Sequence, residues 1–453
     1  MSDVEALMWN LEKDPHLSST FANVTLLDRT PDRGGLRERI SGAAASFIRL
    51  RQHVVPAFGR MAPPEWRIDP EFDLDRHLRW TALPQPATDR DAFDLATVIA
   101  NDPFDRTRPL WEFVVIEGLP GGRAAMVQKM HHTITDGEGG VRLSEQFLDI
   151  TRDADGPMVT GEPDAGATEP ASIVATIFDT LSHTARRQLG IATRTLLAAP
   201  ALADPRRLIA AGEDSVELVR SAIRQLAVRG TARSPLWTQR SLRRRFEPLR
   251  IPFDDAKRAS KALGGSLNDL FVAGAAGGAA RYHRACDSPV AELRMAMPIS
   301  TRTSGTAGGN SFTPTRVVVP VDAEDPAELF AAVRDRIAEL KTERSISAAE
   351  TMAGIANLLP TSLSIKLARQ QVETVDFATS NVRGAPIELY IAGALIEANH
   401  PMGPTGGTAF NCTLLSYGGS FDMGLNIDSG AVEQPELLRD SVALSFEELL
   451  SAG

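Results

Sequence analysis

The chain has two cysteines, three tyrosines and only six lysines against 42 arginines. Cys286 and Cys412 are too few and too far apart for a disulfide framework or a cysteine-based metal site, and their scarcity fits a reducing compartment. Apart from the adjacent pair His131 and His132, the histidines at 16, 53, 77, 183, 283 and 400 show no zinc-type spacing, so no metal site is expected. No uncharged apolar run reaches the roughly 18 residues that a membrane-spanning helix requires. The N-terminal MSDVEALMWNLEKD is acidic and lacks the basic start and apolar run of a signal peptide. A cytoplasmic protein is expected, with surface attachment to a membrane left open. There is no overall positive charge either: 48 basic residues against 58 acidic ones leave a net charge of -10, which argues against general nucleic-acid binding.

What is present supports a soluble chain with sizeable cores. Hydrophobic residues make up 43% and charged residues 23%, and 453 residues exceed what one ordinary domain of roughly 100–200 residues holds. Up to about residue 150, helix-like and strand-like segments alternate. LRERISGAAASFIRL and GGVRLSEQFLDI have helical apolar spacing, while LWEFVVIEGL and RAAMVQKM are short runs of strand length. TRDADGPMVTGEPDAGATEP is Gly, Pro, Asp and Thr without a period, and reads as a loop. After about residue 251 the mixture resumes: LNDLFVAGAAGGAARYHRAC and DPAELFAAVRDRIAELKTE read as helices, ELRMAMPIS and TRVVVPV as strands, and TAFNCTLLSYGGSFDMGLNID as a hairpin. The expected class is α/β (α+β). The expected organisation is an N-terminal domain at 1–170 ending in a flexible loop, a connector at 171–250 and a C-terminal domain at 251–453.

The connector differs in charge. From His183 to Arg250, 14 arginines stand against 5 acidic residues, so the basic charge of an acidic protein is concentrated there. Leu, Ile and Val recur among the arginines at helical spacing. Two readings stay open: amphipathic helices lying on an anionic lipid surface, or an inter-domain connector with a solvated basic face.

The chemistry centres on VQKMHHTITDGEGG. If AAMVQKMHH is a strand, alternation sends His131 and His132 to opposite faces, so they do not share one task. One histidine at a strand end suits general-base work, since an imidazole with a reference pKa of about 6.5 accepts and returns a proton near neutrality. Gly137 then permits a tight backbone at a helix start, and the Asp136 carboxylate can fix the loop by pairing with an arginine. No G-x-S-x-G elbow stands out, which favours direct transfer over a covalent acyl-enzyme.

The string His-His-x-x-x-Asp-Gly resembles the active-site motif of the CoA-dependent acyltransferase superfamily, which implies chloramphenicol-acetyltransferase-like domains, a tunnel at their interface and the second histidine as base. By that resemblance His132 is the base, while His131, Asp136 and Gly137 hold the site. RPLWEF, with Pro109, Leu110 and Trp111, looks like the Pro-Leu-Trp element of the bacterial wax ester synthase/diacylglycerol acyltransferase family, and GGSLNDLFVAG carries its Asn-Asp pair, Asn268 and Asp269. For those two a helix cap remains the alternative. MPISTR is similar to the family's strand end, making Arg302 the candidate partner of Asp136, and GGNSF follows with Asn310. TSNVRGAPIELY resembles the Ser-Asn-Val-Pro-Gly-Pro segment at Ser380, Asn381, Val382 and Gly384, departing at Arg383 and Ala385, where prolines are usual.

The resemblance spans about residues 5–450. It implies an O-acyltransferase that moves a long-chain acyl group from acyl-CoA to diacylglycerol or a long-chain alcohol, with Asn268 near the oxyanion and tentative substrate contacts at Pro109, Leu110, Trp111, Asp269, Ser380, Asn381 and Gly384. Acyl-CoA is then a co-substrate, no cofactor is bound, and a membrane or lipid-droplet surface is a peripheral partner. Two other readings are an acyltransferase for a specialised, polyketide-type alcohol and a non-catalytic lipid-binding protein of the same fold.

Overall fold

The computed structural model describes residues 1–57, 63–135, 137–154, 233–300, 312–342, 353, 356–357 and 359–453. In chain order the strands are β1 (Thr20–Leu27), β2 (Gln52–Val55), β3 (Glu65–Ile68), β4 (Leu78–Ala82), β5 (Trp111–Glu117), β6 (Ala124–His131), β7 (Arg244–Pro252), β8 (Glu292–Ser300), β9 (Phe312–Pro320), β10 (Phe377–Arg383), β11 (Tyr390–Ile391), β12 (Ala394–Met402), β13 (Phe410–Tyr417) and β14 (Ser420–Asp428). The α-helices are α1 (Asp3–Leu11), α2 (Arg33–Ser46), α3 (Leu74–His77), α4 (Asp89–Asn101), α5 (Gly137–Ser144), α6 (Phe253–Ala262), α7 (Leu267–Ala285), α8 (Pro326–Thr342), α9 (Thr361–Val372) and α10 (Pro435–Ala452). Helix and strand thus alternate as the apolar periods predict.

Two six-stranded mixed sheets carry the fold, in the orders β11-β12-β1-β6-β5-β4 and β7-β14-β13-β10-β8-β9, beside a β2-β3 ribbon. Their composition does not follow chain order. β11 and β12, which come late in the sequence, complete the first sheet, with β12 antiparallel to β1. β7 straddles residue 250, where the sequence places the end of a connector, and lies antiparallel along β14 in the second sheet.

β12 is the hinge of this arrangement. It pairs with β1 on one side, and its Asn399 amide donates to Asp422 Oδ2 of β14 at 2.7 Å on the other. The Asn399 side-chain oxygen accepts from Thr25 Oγ1 at 2.8 Å and from Asn23 Nδ2 at 2.9 Å. Buried amides need such partners, so these polar groups specify where the strand sits between the sheets. Beside it, α4 reaches β7 through Arg90 to Glu247 at 2.9 Å and Asp94 to Arg245 at 3.2 Å. Phe93, Phe246, Ala398 and Met402 fill the apolar space between.

The second sheet buries Leu293, Met295, Val317, Val319, Phe377 and Phe410 beneath α7, α8 and α10. Its other face, which carries Ala296, Ala378 and Ser380, stays partly exposed. That face meets the first half of the chain. α9 packs against α1, and α5 against β10, so the second sheet's open side turns toward the end of β6. Among the described residues, no helix is long and apolar enough to cross a membrane.

Candidate active site

β6 is a central strand of the first sheet, held by β1 and β5 on either side. At its end the backbone is fixed from both neighbours: His131 N donates to Leu110 O at 3.0 Å and His132 N to Ser19 O at 3.0 Å. A turn follows, closed by Ile134 N on His131 O at 2.8 Å. Pro109, Leu110 and Trp111 stand at the start of β5, all buried. The Trp111 indole donates to Leu50 O at 2.8 Å and stacks on His77, with centroids 4.6 Å apart and planes 16° from parallel. The Pro-Leu-Trp element therefore acts from behind the histidines, as a rigid support for the strand end.

The two histidines have different surroundings. His131 has no exposed surface. Its Nδ1 accepts the Thr133 amide at 3.1 Å and lies 2.7 Å from the Thr133 hydroxyl. A backbone amide only donates, so the ring proton belongs on Nε2, which meets the Glu12 carboxylate. Glu12, just past α1, also accepts Ser18 Oγ at 2.6 Å and Thr20 Oγ1 at 3.1 Å. Burial opposes its ionisation, yet the hydrogen bonds from His131, Ser18 and Thr20 outweigh that cost and hold its pKa below the ordinary value of 4.5.

Glu12 did not emerge from the sequence. Its partner lies 119 positions away and nothing local marks it, although a buried imidazole beside a turn requires some acceptor. Because its folded-state pKa is depressed, the stability it contributes is fully present above pH 4.5 and is lost as pH falls through the folded value. Glu12→Gln is therefore expected to melt below wild type at pH 7. Thermal melts repeated at progressively lower pH should show the gap closing, and a gap that persists unchanged into strong acid would contradict the assignment.

His132 is only partly buried and sits beside Phe21 of β1, with ring centroids 4.6 Å apart. After it the chain enters α5 at Gly137. A Cβ there would lie 2.9 Å from Val382 Cγ2, so the helix start rests directly on β10 of the second sheet. Gly137→Ala is expected to lower turnover by forcing these elements apart, an overpacking strain of about 1–3 kcal/mol. Combining it with Val382→Ala should restore much of the loss, and a double variant no better than the single one would refute the contact.

β10 supplies the second half of the site. Asn381 Nδ2 donates to Asn268 Oδ1 at 3.2 Å, bringing together two residues 113 positions apart that the sequence singles out. Asn268 lies in the first turn of α7. Its neighbour Asp269 closes a capping box: the Asp269 carboxylate accepts Ser266 N at 2.8 Å and Ser266 Oγ at 2.7 Å, and Ser266 Oγ accepts Asp269 N at 3.2 Å. Ser380 is partly buried on the same strand as Asn381. Gly384 N lies 3.3 Å from Ser416 Oγ, where any side chain would run into the Ser416 carbonyl oxygen. Asp136, Arg302 and Asn310 lie outside the described residues, as does most of the arginine-rich segment.

Comparison with known proteins gives the family. Residues 1–271 match the wax ester synthase/diacylglycerol acyltransferase catalytic domain, and residues 308–450 match the C-terminal domain of the same family. Two proteins of Mycobacterium tuberculosis strain H37Rv, both provisionally named diacylglycerol O-acyltransferases, are similar along their length. One is 33% identical over 464 residues, covering 100% of this chain and 91% of the relative. The other is 29% identical over 486 residues, covering 100% and 97%. The wax ester synthase/diacylglycerol acyltransferase from Marinobacter aquaeolei VT8 superposes with a TM-score of 0.66 at 21% identity, covering 99% of this chain and 98% of that one. The first condensation domain of the calcium-dependent antibiotic synthetase shares the fold at a TM-score of 0.56 and 14% identity, covering 99% and 96%. The mixed sheets, the two matched domains and the extent of identity together show that the chain is an acyltransferase belonging to the wax ester synthase/diacylglycerol acyltransferase family.

Proposed function

We propose that the chain transfers a long-chain acyl group from acyl-CoA to the hydroxyl of diacylglycerol or a long-chain alcohol, with His132 as general base and no acyl-enzyme. One observation carries the reading: the start of α5, five residues after His132, rests on Val382 of β10, and the same strand's Asn381 amide holds Asn268 of α7. Residues from both halves of the chain thus converge where a substrate tunnel between two domains would lie.

In this mechanism donor and acceptor are bound together. His132 removes the hydroxyl proton as the oxygen attacks the thioester carbonyl, and the resulting imidazolium protonates the departing CoA thiolate. The tetrahedral oxygen requires donors aimed at it. With its carbonyl oxygen engaged by Asn381, Asn268 has its NH2 group for that task. His131, held by Glu12 and Thr133, and the Pro-Leu-Trp element act as supports rather than as reacting groups, the role that the motif also gives Asp136 and Arg302.

The direct test gives the purified protein palmitoyl-CoA with either a diacylglycerol or hexadecanol and reads ester product and CoA thiol release. Ester from at least one acceptor is expected. Thiol release and ester formation only with a specialised alcohol would point to the polyketide-type reading, and acyl-CoA binding without transfer to the lipid-binding one.

Peripheral attachment to a membrane or lipid droplet is part of the proposal and rests on the arginine surplus between His183 and Arg250. Binding to anionic vesicles should weaken steeply with added salt, because exposed charges are screened over about 8 Å at physiological ionic strength. Binding indifferent to salt and lipid charge would reject electrostatic attachment.

A further inference from the structure

The open face of the second sheet carries a pair of arginines that the mechanism above does not use. In the antiparallel register of β8 and β9, Arg294 pairs with Val318 and Ala296 with Arg316. Leu293, Met295, Val317 and Val319 point into the core, so alternation places Arg294 and Arg316 together on the opposite face, diagonal across adjacent strands. Arg294 Nη1 donates to Thr374 O at 3.1 Å, and Arg316 Nη1 donates to Gln371 Oε1. Both groups therefore sit beside the end of α9. Crowding by surrounding protein, and then the positive charge of Arg294, lowers the pKa of Arg316, so the two cations sense each other. Arg316 nevertheless keeps exposed surface.

The same face leads to the reaction centre. β10 runs parallel to β8 with Ala378 level with Ala296, which is itself level with Arg316. Further along β10 the same alternation presents Ser380 and then Val382, the residue on which Gly137 rests. Four residues of strand separate Ala378 from Val382, about 13 Å at roughly 3.3 Å per residue. Between the arginines and the histidine turn the face offers the small, partly exposed side chains Ala296, Ala378 and Ser380.

We propose that Arg294 and Arg316 bind the phosphate groups at the CoA end of the acyl donor, with the pantetheine arm lying along Ala296, Ala378 and Ser380 toward His132. This rests on the acyl-CoA reading above. The arm separates sulfur from the nearest phosphate by about a dozen bonds, roughly 15 Å when extended, comparable with the diagonal of about 16 Å from Arg316 to Val382, which combines about 13 Å along β10 with about 10 Å across two strand spacings. Arginine forks suit phosphate oxygens.

The test compares palmitoyl-CoA with palmitoyl-pantetheine, which lacks the nucleotide and all phosphates, as donors for wild type, Arg316→Ala and Arg316→Lys. Arg316→Ala should raise KM for palmitoyl-CoA about tenfold or more, as expected on losing a charged hydrogen bond. Its kcat and its KM for palmitoyl-pantetheine should stay unchanged, and Arg316→Lys should recover part of the loss. An equal rise for both donors, or none for either, overturns the site.

Calorimetry with CoA alone separates this proposal from the reading beneath it. If wild type binds CoA and Arg316→Ala binds it weakly while neither transfers an acyl group, the site stands and the acyltransferase chemistry fails. If wild type transfers acyl groups but the variant keeps its CoA affinity, only the site fails. Vesicles containing anionic phospholipid address the other source of phosphate: loss of vesicle binding with CoA affinity intact would overturn the assignment. Should Arg316→Ala not fold, as judged by its melting transition, Arg316→Gln takes its place in every arm.

Discussion

His132→Ala is expected to cut CoA release from palmitoyl-CoA in the presence of acceptor by about 10²–10⁴-fold, the usual contribution of a positioned general base. The magnitude follows from the reaction. The acceptor alcohol is a poor nucleophile while protonated, and the thiolate leaves more easily when a proton is delivered to it, so in the proposed mechanism one imidazole serves both halves of the transfer. The fold should survive the change, because His132 is partly buried and its amide bond to Ser19 O does not depend on the side chain. Acyl-CoA affinity should be retained, and the pH dependence of kcat that a histidine base imposes should disappear. His131→Ala is the necessary contrast. It removes a fully enclosed ring together with its contacts to Glu12 and Thr133, so both its melting temperature and its activity should fall. Equal CoA release by wild type and a folded His132→Ala would refute the base assignment outright.

The sequence separates His131 from His132 by strand alternation through both; in the structure β6 ends at His131 and His132 opens the turn, so the two rings part because the strand stops between them. The helices and strands flanking them were legible, since each buries one face with a clear period. β12 was not. ALIEANHPM contains Glu397, Asn399 and His400, and a strand covered on both sides usually reads as a continuous apolar run. Here the polar side chains are matched by partners on other elements: Asn399 by Thr25 and Asn23, and His400 by Met423 O, which its Nδ1 approaches at 3.1 Å. Such pairing is invisible one segment at a time. Trp111 shows the converse limit: the motif marks it as important, but only packing reveals that it braces the strand from inside the core. Asp269 resolves in the same way, its carboxylate being committed to the cap of α7.

The crossing of β12 makes Asp422 the residue whose loss should destabilise the fold most. Its side chain has no exposed surface, and its carboxylate accepts the Asn399 amide at 2.7 Å, Ser420 Oγ at 2.7 Å and Arg250 Nε at 2.9 Å. Asp422→Ala leaves a buried amide and a buried hydroxyl without their acceptor, at about 1–3 kcal/mol each, while the half-exposed Arg250 guanidinium turns to solvent. Asp422→Asn keeps the shape and one acceptor oxygen, so it should lose less. Denaturant midpoints for the two variants give the comparison, and Asp422→Ala within about 0.5 kcal/mol of wild type would contradict the tie. The consequence extends to activity. β12 belongs to the sheet whose strand β6 ends beside His132, whereas Asp422 belongs to the sheet that carries Asn381, so loosening this bond loosens the proposed base against the second half of the proposed site. A misplacement of about 1 Å between reacting groups costs on the order of 10²-fold in rate. Activity of Asp422→Ala should therefore decline at temperatures where circular dichroism still reports folded protein, while wild type loses activity and structure together.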